Sequence, residues 1–245
     1  MGIPSEQFRE TVRAALDRDA GPPSEPYDVL TQELATLETR AEDVQARIAQ
    51  ETPKLLDQMA EIAGLRGWNV RRCEGGEEAL DYVVSLVRRL GATSVARSEQ
   101  PVFESIPVDA AIAGVGGLCW PAVYDGPASR TEVRQRLAES GMGITGADYA
   151  IAETGSVVVL PRRGLSRLVS VVPPVHVAIV RPSDLLGTLD DLFALRRLEY
   201  VRNGGDMGSY LNFITGPSRT ADIEQTIVVG VHGPREVHMV LLNKE

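Results

Sequence analysis

Two short strings of the sequence concentrate small and polar residues of the kinds that bind anions or move protons. The first string, residues 143–156, reads G-I-T-G-A-D-Y-A-I-A-E-T-G-S. Its Glu153 lies between an apolar helical turn and a strand in our secondary-structure prediction, where a partly buried carboxylate can act as an acid, a base or a nucleophile. We therefore take Glu153 as a candidate catalytic residue and the following Thr154 and Gly155 as candidate ligand-binding residues. The alternative is a helix-end carboxylate that bonds nearby backbone amides.

The second string, residues 214–224, reads I-T-G-P-S-R-T-A-D-I-E. After its Gly-Pro turn, Ser218, Arg219 and Thr220 present hydroxyls, a guanidinium and free backbone N–H groups together, which suits a carboxylate or a phosphate. The candidate ligand-binding residues in this string are Thr215, Gly216, Ser218, Arg219, Thr220, Asp222 and Glu224. The alternative is a turn in which Arg219 pairs internally with the two carboxylates, because such ion networks are common.

The histidines and paired carboxylates of the sequence do not form a recognisable set of metal ligands. Asp222 and Glu224 flank one residue, so in a strand their side chains share a face, as metal ligands do. No histidine accompanies them, and we predict no metal and no bound cofactor. His232 precedes Gly-Pro in the string G-V-H-G-P (residues 230–234) and is a candidate acid–base group near neutral pH. His176 and His238 lie in apolar predicted strands and are expected to be hydrogen-bonded core residues.

Composition narrows the class of protein. The chain has 245 residues, of which 43% are apolar and 24% charged, as in an ordinary globular protein. The net charge of −9 disfavours nucleic acid as a partner, because basic contacts to phosphates supply most of that affinity. Two cysteines are too few for an iron–sulfur cluster, which usually takes four thiolates.

The longest stretch without charge, residues 110–124, falls short of the about 20 apolar residues that span a bilayer. Charged residues interrupt the first 20 positions, so we expect no signal peptide and a cytoplasmic protein.

Hydrophobic patterns predict the elements that must position these residues. Strands at 68–73 and 93–96 alternate with a helix at 76–90, which indicates α/β units and a largely parallel sheet. We predict a helix that restarts at Pro53 with Thr52 as its cap, a strand at 108–115, a short helix at 145–152 and a helix capped by Ser183. Residues 1–40 are predicted to be an N-terminal helical appendage, and residues 41–245 the main domain.

The two strings also resemble a known family. Residues 143–160 and 214–242 are similar to the LUD (lactate utilization) domain family, closest to the LutC/YkgG type, and the resemblance extends over about residues 40–245. It implies an α/β fold of the NagB/RpiA/CoA-transferase-like kind, an open sheet flanked by helices. It further implies a role in oxidising L-lactate to pyruvate together with iron–sulfur partner proteins, this chain resembling the cluster-free member. It assigns no catalytic residue.

A second hypothesis uses the same residues differently. A stand-alone enzyme of this fold would act on a carboxylated or phosphorylated metabolite, with Glu153 as the acid–base group or nucleophile and Arg219 as the anion clamp. Fold analogy alone is weak support for any particular chemistry. Both hypotheses therefore stand at this point.

Overall fold

Six parallel strands form the central sheet of the structure, a computed structural model that describes residues 5–15, 32–123, 127–160, 167–206, 208, 210–221 and 227–245. In spatial order the strands are β1 (Asn69–Cys73), β12 (Glu236–Leu242), β7 (Val175–Val180), β4 (Met142–Gly146), β2 (Ser94–Arg97) and β3 (Leu118–Pro121). Neighbouring strands pair in parallel throughout. The predicted α/β class with a mostly parallel open sheet is thus confirmed.

Helices flank this sheet, and a smaller sheet lies beside it. The helices are α1 (Ser5–Ala15), α2 (Leu34–Arg66), α3 (Gly76–Leu90), α4 (Val102–Ser105), α5 (Val108–Ala113), α6 (Pro127–Glu139) and α7 (Leu189–Arg202). The smaller sheet has the order β8 (Leu185–Leu186), β5 (Tyr149–Ile151), β6 (Ser156–Val159) and β9 (Asn212–Ile214). A separate antiparallel hairpin consists of β10 (Arg219–Ala221) and β11 (Ile227–Val229).

The central strands are buried on both faces, which explains their continuous apolar sequences. All six residues of β7 are buried. Alternate residues point to opposite faces, so Val177 and Ile179 pack in one core cluster with α3 and α5, whereas Ala178 and Val180 pack in another with α2. The sheet is therefore enclosed between α3 and α5 on one side and α2 on the other.

Helix α2 continues through its proline, so the restart predicted at Pro53 is wrong. Residues 34–66 form one helix. The hydroxyl of Thr52 does not cap a new helix but donates to the carbonyl oxygen of Ile48, one turn earlier, at 2.8 Å. A proline inside a helix costs about 3 kcal/mol. The packing of the following turns offsets this cost, since their apolar side chains are buried under the central sheet: Leu55, Leu56, Met59 and Ala63.

Three other local predictions are wrong. Residues 142–151 form β4 and β5 instead of a short helix, and the Asp148 carboxylate accepts from the backbone N–H of Leu160 at 2.6 Å. The strand predicted at 108–115 is helix α5. Helix α7 begins after Thr188, whose hydroxyl accepts from the N–H of Asp191, and not after Ser183.

Helix α2 crosses the predicted domain boundary at residue 40, and that boundary stays a prediction. The side chains of residues 6–15 in α1 are all exposed. Helix α2 runs across positions 40 and 41 without interruption, and Leu37 is buried against Leu198 of α7. Packing against the main body therefore begins by Leu37. Among the helices that the structure describes, none is long and apolar enough to cross a membrane.

Candidate functional site

Both predicted strings contact the C-terminal end of α2, and each does so through a glycine. Gly155 has φ +67°, and a Cβ atom there would lie 2.7 Å from the backbone nitrogen of Ala63. Gly216 has φ +111°, and a Cβ atom there would lie 2.3 Å from the carbonyl oxygen of Arg66. Only glycine combines this backbone conformation with so close an approach. The two strings are thus brought together by the same helix end.

A chain of three hydroxyls joins the two strings. Ser156 and Thr215 continue the antiparallel register of β6 and β9, in which Val157 pairs with Ile214. The Thr154 hydroxyl donates to Ser156 Oγ at 2.8 Å, and Ser156 Oγ lies 2.7 Å from Thr215 Oγ1. Ser156 is only 2% exposed. The sheet register therefore places two of the predicted ligand-binding threonines on one buried serine.

A pocket of about 450 Å³ opens beside these hydroxyls. One wall is apolar and solvent-exposed, since Phe193 of α7 and Phe213 of β9 keep 51% and 39% of their surface exposed. Its lining consists of Arg66, Thr154, Ser156, Leu189, Phe193, Phe213 and Thr215. We call this the hydroxyl pocket. It combines hydroxyl groups, a guanidinium and aromatic surface in one place.

Glu153 lies at the rim of the same region but is exposed. Its carboxylate accepts from the backbone N–H of Leu189, the first residue of α7, at 3.0 Å. Its own backbone N–H donates to the carbonyl oxygen of Gly187 at 3.0 Å. A carboxylate at a helix N-terminus stabilises the helix by about 0.3–1 kcal/mol. This is the geometry of the helix-end alternative, and a catalytic role for Glu153 stays a prediction.

Arg219 lies against the end of α2. Its Nη2 atom donates to the carbonyl oxygen of Arg66 at 3.3 Å, and a Cβ atom on Gly67 would lie 2.4 Å from that nitrogen. Gly67 has φ +97° and caps α2 through its backbone N–H. Asp222 and Glu224 lie outside the described residues, so the predicted internal ion pair stays a prediction. Thr220, half-buried in β10, pairs with Val228 of the hairpin.

Ser218 holds the string G-V-H-G-P in place. Its backbone N–H donates to the carbonyl oxygen of Pro234 at 3.0 Å, and its carbonyl oxygen accepts from the N–H of Gly230 at 2.8 Å. Its hydroxyl oxygen accepts from the backbone N–H of His232 at 3.2 Å. The His232 residue is exposed. These contacts organise a turn, and the acid–base role of His232 stays a prediction.

The two other histidines are buried and hydrogen-bonded, as the sequence predicts. His176 Nε2 lies 2.9 Å from Thr145 Oγ1, and burial lowers the pKa of His176 to about 3. His238 bonds Glu236 through Nε2 at 2.7 Å and Tyr82 through Nδ1 at 2.8 Å. Burial also lowers the pKa of His238, although the carboxylate opposes this shift. Both imidazoles therefore favour the neutral form.

Five of the pocket residues are not among the candidates that the sequence predicts: Arg66, Ser156, Leu189, Phe193 and Phe213. Ser156 ends the first string and could have been identified there. The other four lie on α2, α7 and β9, where a single cation or apolar residue looks like an ordinary surface or core position. No pattern in their own segments distinguishes them.

The parallel open sheet, the flanking helices and the site at the end of α2 define a protein of the α/β class. A crystal structure of a DUF162 family protein from Deinococcus radiodurans has the same fold, with a TM-score of 0.54 at 19% sequence identity. The match covers 78% of this chain and 98% of that one. At this identity the likeness concerns the fold alone.

The chain belongs to the LUD domain family, whose model matches residues 56–242. Several relatives carry the name Lactate utilization protein C. The one from Halalkalibacterium halodurans is 41% identical over 41% of this chain and 43% of its own length, and the one from Bacillus subtilis is 35% identical over 51% and 53%. The one from Shouchella clausii is 33% identical over 68% of this chain and 69% of its own length. The matched segments thus span about half the length of the first two relatives.

Proposed function

We propose that this chain is a subunit of a lactate-utilization system and takes part in the oxidation of L-lactate to pyruvate with iron–sulfur partner proteins in the cytoplasm. The observation that carries the proposal is the match to relatives named Lactate utilization protein C. Both strings fall within the family segment at 56–242, and the contacts that join them support a common role. We also propose that the sheet is of the NagB/RpiA/CoA-transferase-like kind.

The cysteines support a dependence on partners for electron transfer. Oxidation of a 2-hydroxy acid to a 2-oxo acid releases a pair of electrons that an acceptor must take up. The chain has two cysteines, Cys73 in β1 and Cys119 in β3, and these strands are at opposite edges of the central sheet. Burial raises the pKa of both thiols, which disfavours the thiolate that binds metals. Iron–sulfur clusters in this reaction would therefore belong to other proteins.

Gene deletion tests this proposal. Deleting this gene alone should abolish or strongly slow growth on L-lactate and leave growth on glucose unchanged, and the intact gene supplied separately should restore it. Affinity purification of the tagged full chain from lactate-grown cells should recover proteins that contain iron and acid-labile sulfide. Normal growth of the deletion strain on L-lactate would refute the proposed function.

A further inference from the structure

The direction of the hydroxyl chain leaves a hydrogen-bond donor facing the hydroxyl pocket. Thr154 donates to Ser156, so the proton of Ser156 needs a different acceptor. Ser156 is 2% exposed, and a buried hydroxyl proton without an acceptor is costly. Either oxygen of the Ser156–Thr215 pair can be the donor, but because Thr154 already donates to Ser156, Thr215 Oγ1 at 2.7 Å is the acceptor that the described residues offer to the Ser156 proton. The proton of the exposed Thr215 hydroxyl is then free to bind a ligand oxygen.

Arg66 provides a cation in the same pocket as this donor. Arg66 is exposed, ends α2 and lines the same pocket. A Cβ atom on Gly216, the residue after Thr215, would lie 3.8 Å from Arg66 Cβ, so the arginine side chain starts beside the backbone that follows Thr215. A guanidinium next to a hydroxyl donor favours a carboxylate, because charge-assisted hydrogen bonds are about twice as strong as neutral ones.

The rest of the pocket requires an apolar body on the ligand. Leu189, Phe193 and Phe213 form its wall, and both aromatic rings keep a large exposed surface. The volume of about 450 Å³ lies in the range of about 300–1,000 Å³ that is usual for small-molecule sites. L-lactate has a carboxylate and a methyl group but nothing that would cover two phenyl rings.

We propose that the hydroxyl pocket binds a monocarboxylate that carries an aromatic or similarly bulky apolar body. The carboxylate binds Arg66 and the Thr215 hydroxyl, and the body packs on Phe193 and Phe213. This ligand class goes beyond the proposed function, since it differs from L-lactate. The site is then one for a larger acid that acts as a further substrate or as an effector.

Three related probes separate recognition of the carboxylate from recognition of the apolar body. Phenylacetate has the carboxylate and the ring, phenylacetamide has the ring without the charge, and acetate has the charge without the ring. Each is titrated into the full-length protein and followed by NMR or calorimetry. We expect phenylacetate to bind at least about tenfold more tightly than either of the others, because each lost contact costs about one decade or more in Kd.

Variants with matched controls locate the binding. Arg66→Ala and Thr215→Val should each raise the Kd of phenylacetate by about tenfold or more. Arg40→Ala, on an exposed arginine of α2 outside the pocket, should leave it unchanged. Phe193→Ala should weaken binding, whereas Leu65→Ala, which removes an exposed leucine next to Arg66, should not. Thr154→Val should weaken it less than Thr215→Val, because Ser156 still donates to Thr215.

Clear outcomes would overturn the proposal. Equal affinity for phenylacetate and phenylacetamide would exclude carboxylate recognition, and no binding of any probe at millimolar concentration would exclude a small-acid site. In the second case, loss of co-purifying proteins in Phe193→Ala would assign the apolar wall to protein docking. Neither result affects the growth phenotype of the deletion strain, so failure of this inference and failure of the proposed function are distinguishable.

Discussion

At the scale of single residues, the Glu153 side chain distinguishes the subunit hypothesis from the stand-alone enzyme hypothesis. We predict that Glu153→Gln leaves lactate-supported growth intact and lowers the free energy of unfolding by about 1 kcal/mol or less, because glutamine still accepts from Leu189 N–H but loses its charge at the helix N-terminus. Urea unfolding and growth on L-lactate measure the two effects. A folded Glu153→Gln protein that no longer supports growth would instead favour the enzyme hypothesis.

The glycines of the two strings should be irreplaceable for steric reasons. We predict that Gly216→Ala and Gly155→Ala each destabilise the protein by about 3 kcal/mol or more, because the new methyl group clashes with the backbone of α2 at a positive φ. Gly116→Ala is the matched control, since Gly116 has φ +80° but nothing within 4 Å of a Cβ atom. It should cost only about 1 kcal/mol. Equal losses for the three variants in urea unfolding would contradict the contact with α2.

At the level of secondary-structure elements, helix α2 contains an internal proline that is expected to destabilise it. Pro53 is exposed, and its ring removes one hydrogen bond from the helix. We therefore predict that Pro53→Ala stabilises the protein by about 1–2 kcal/mol, after allowing for the greater freedom of alanine in the unfolded chain. The midpoint of urea unfolding measures this gain. A loss of stability would show that a bend at Pro53 is required for packing against the sheet.

The long helix also explains why the site is assembled from distant parts of the chain. The C-terminal end of α2 contacts Gly155, Gly216 and Arg219, which belong to two segments far apart in the chain. Its buried face, which includes Met59 and Ala63, packs on the central sheet and fixes that end in position. A mutation that displaces the C-terminal end of α2 should therefore displace both strings together.

At the scale of the whole molecule, two truncated chains locate the N-terminal limit of the folded body. A chain that starts at Gln32 should keep the wild-type free energy of unfolding, because α2 remains complete and the described side chains of α1 are exposed. A chain that starts at Glu42 should lose about 2–4 kcal/mol, since it removes the buried Leu37 and Ala41 and uncovers Leu198. Equal stability of the two would support the predicted boundary near residue 40.

Local patterns in the sequence determined a large part of the central fold. The helix at 76–90 and the strand that ends at Cys73 follow from their hydrophobic patterns. The apolar strand predicted around His238 is also present, as β12. These elements agree with prediction because the hydrophobic pattern lies within each segment, and burial of its apolar residues in the core favours the same helix or strand. Residue type alone also selected Thr154 and Thr215, which line the hydroxyl pocket, and their role in ligand binding stays a prediction.

Which of these segments contact one another depends on the tertiary structure. Thr145 and Asp148 have helix-capping spacing, yet a histidine and the N–H of Leu160 take their polar groups, so the segment becomes two strands. Ser156 and Thr215 are 59 positions apart, and their contact depends on the register of β6 and β9. Phe193 and Arg66 join them because α7 begins close to the point where α2 ends. Such contacts form between residues that are far apart in the sequence. The hydrophobic pattern and turn residues of any one segment therefore do not predict them.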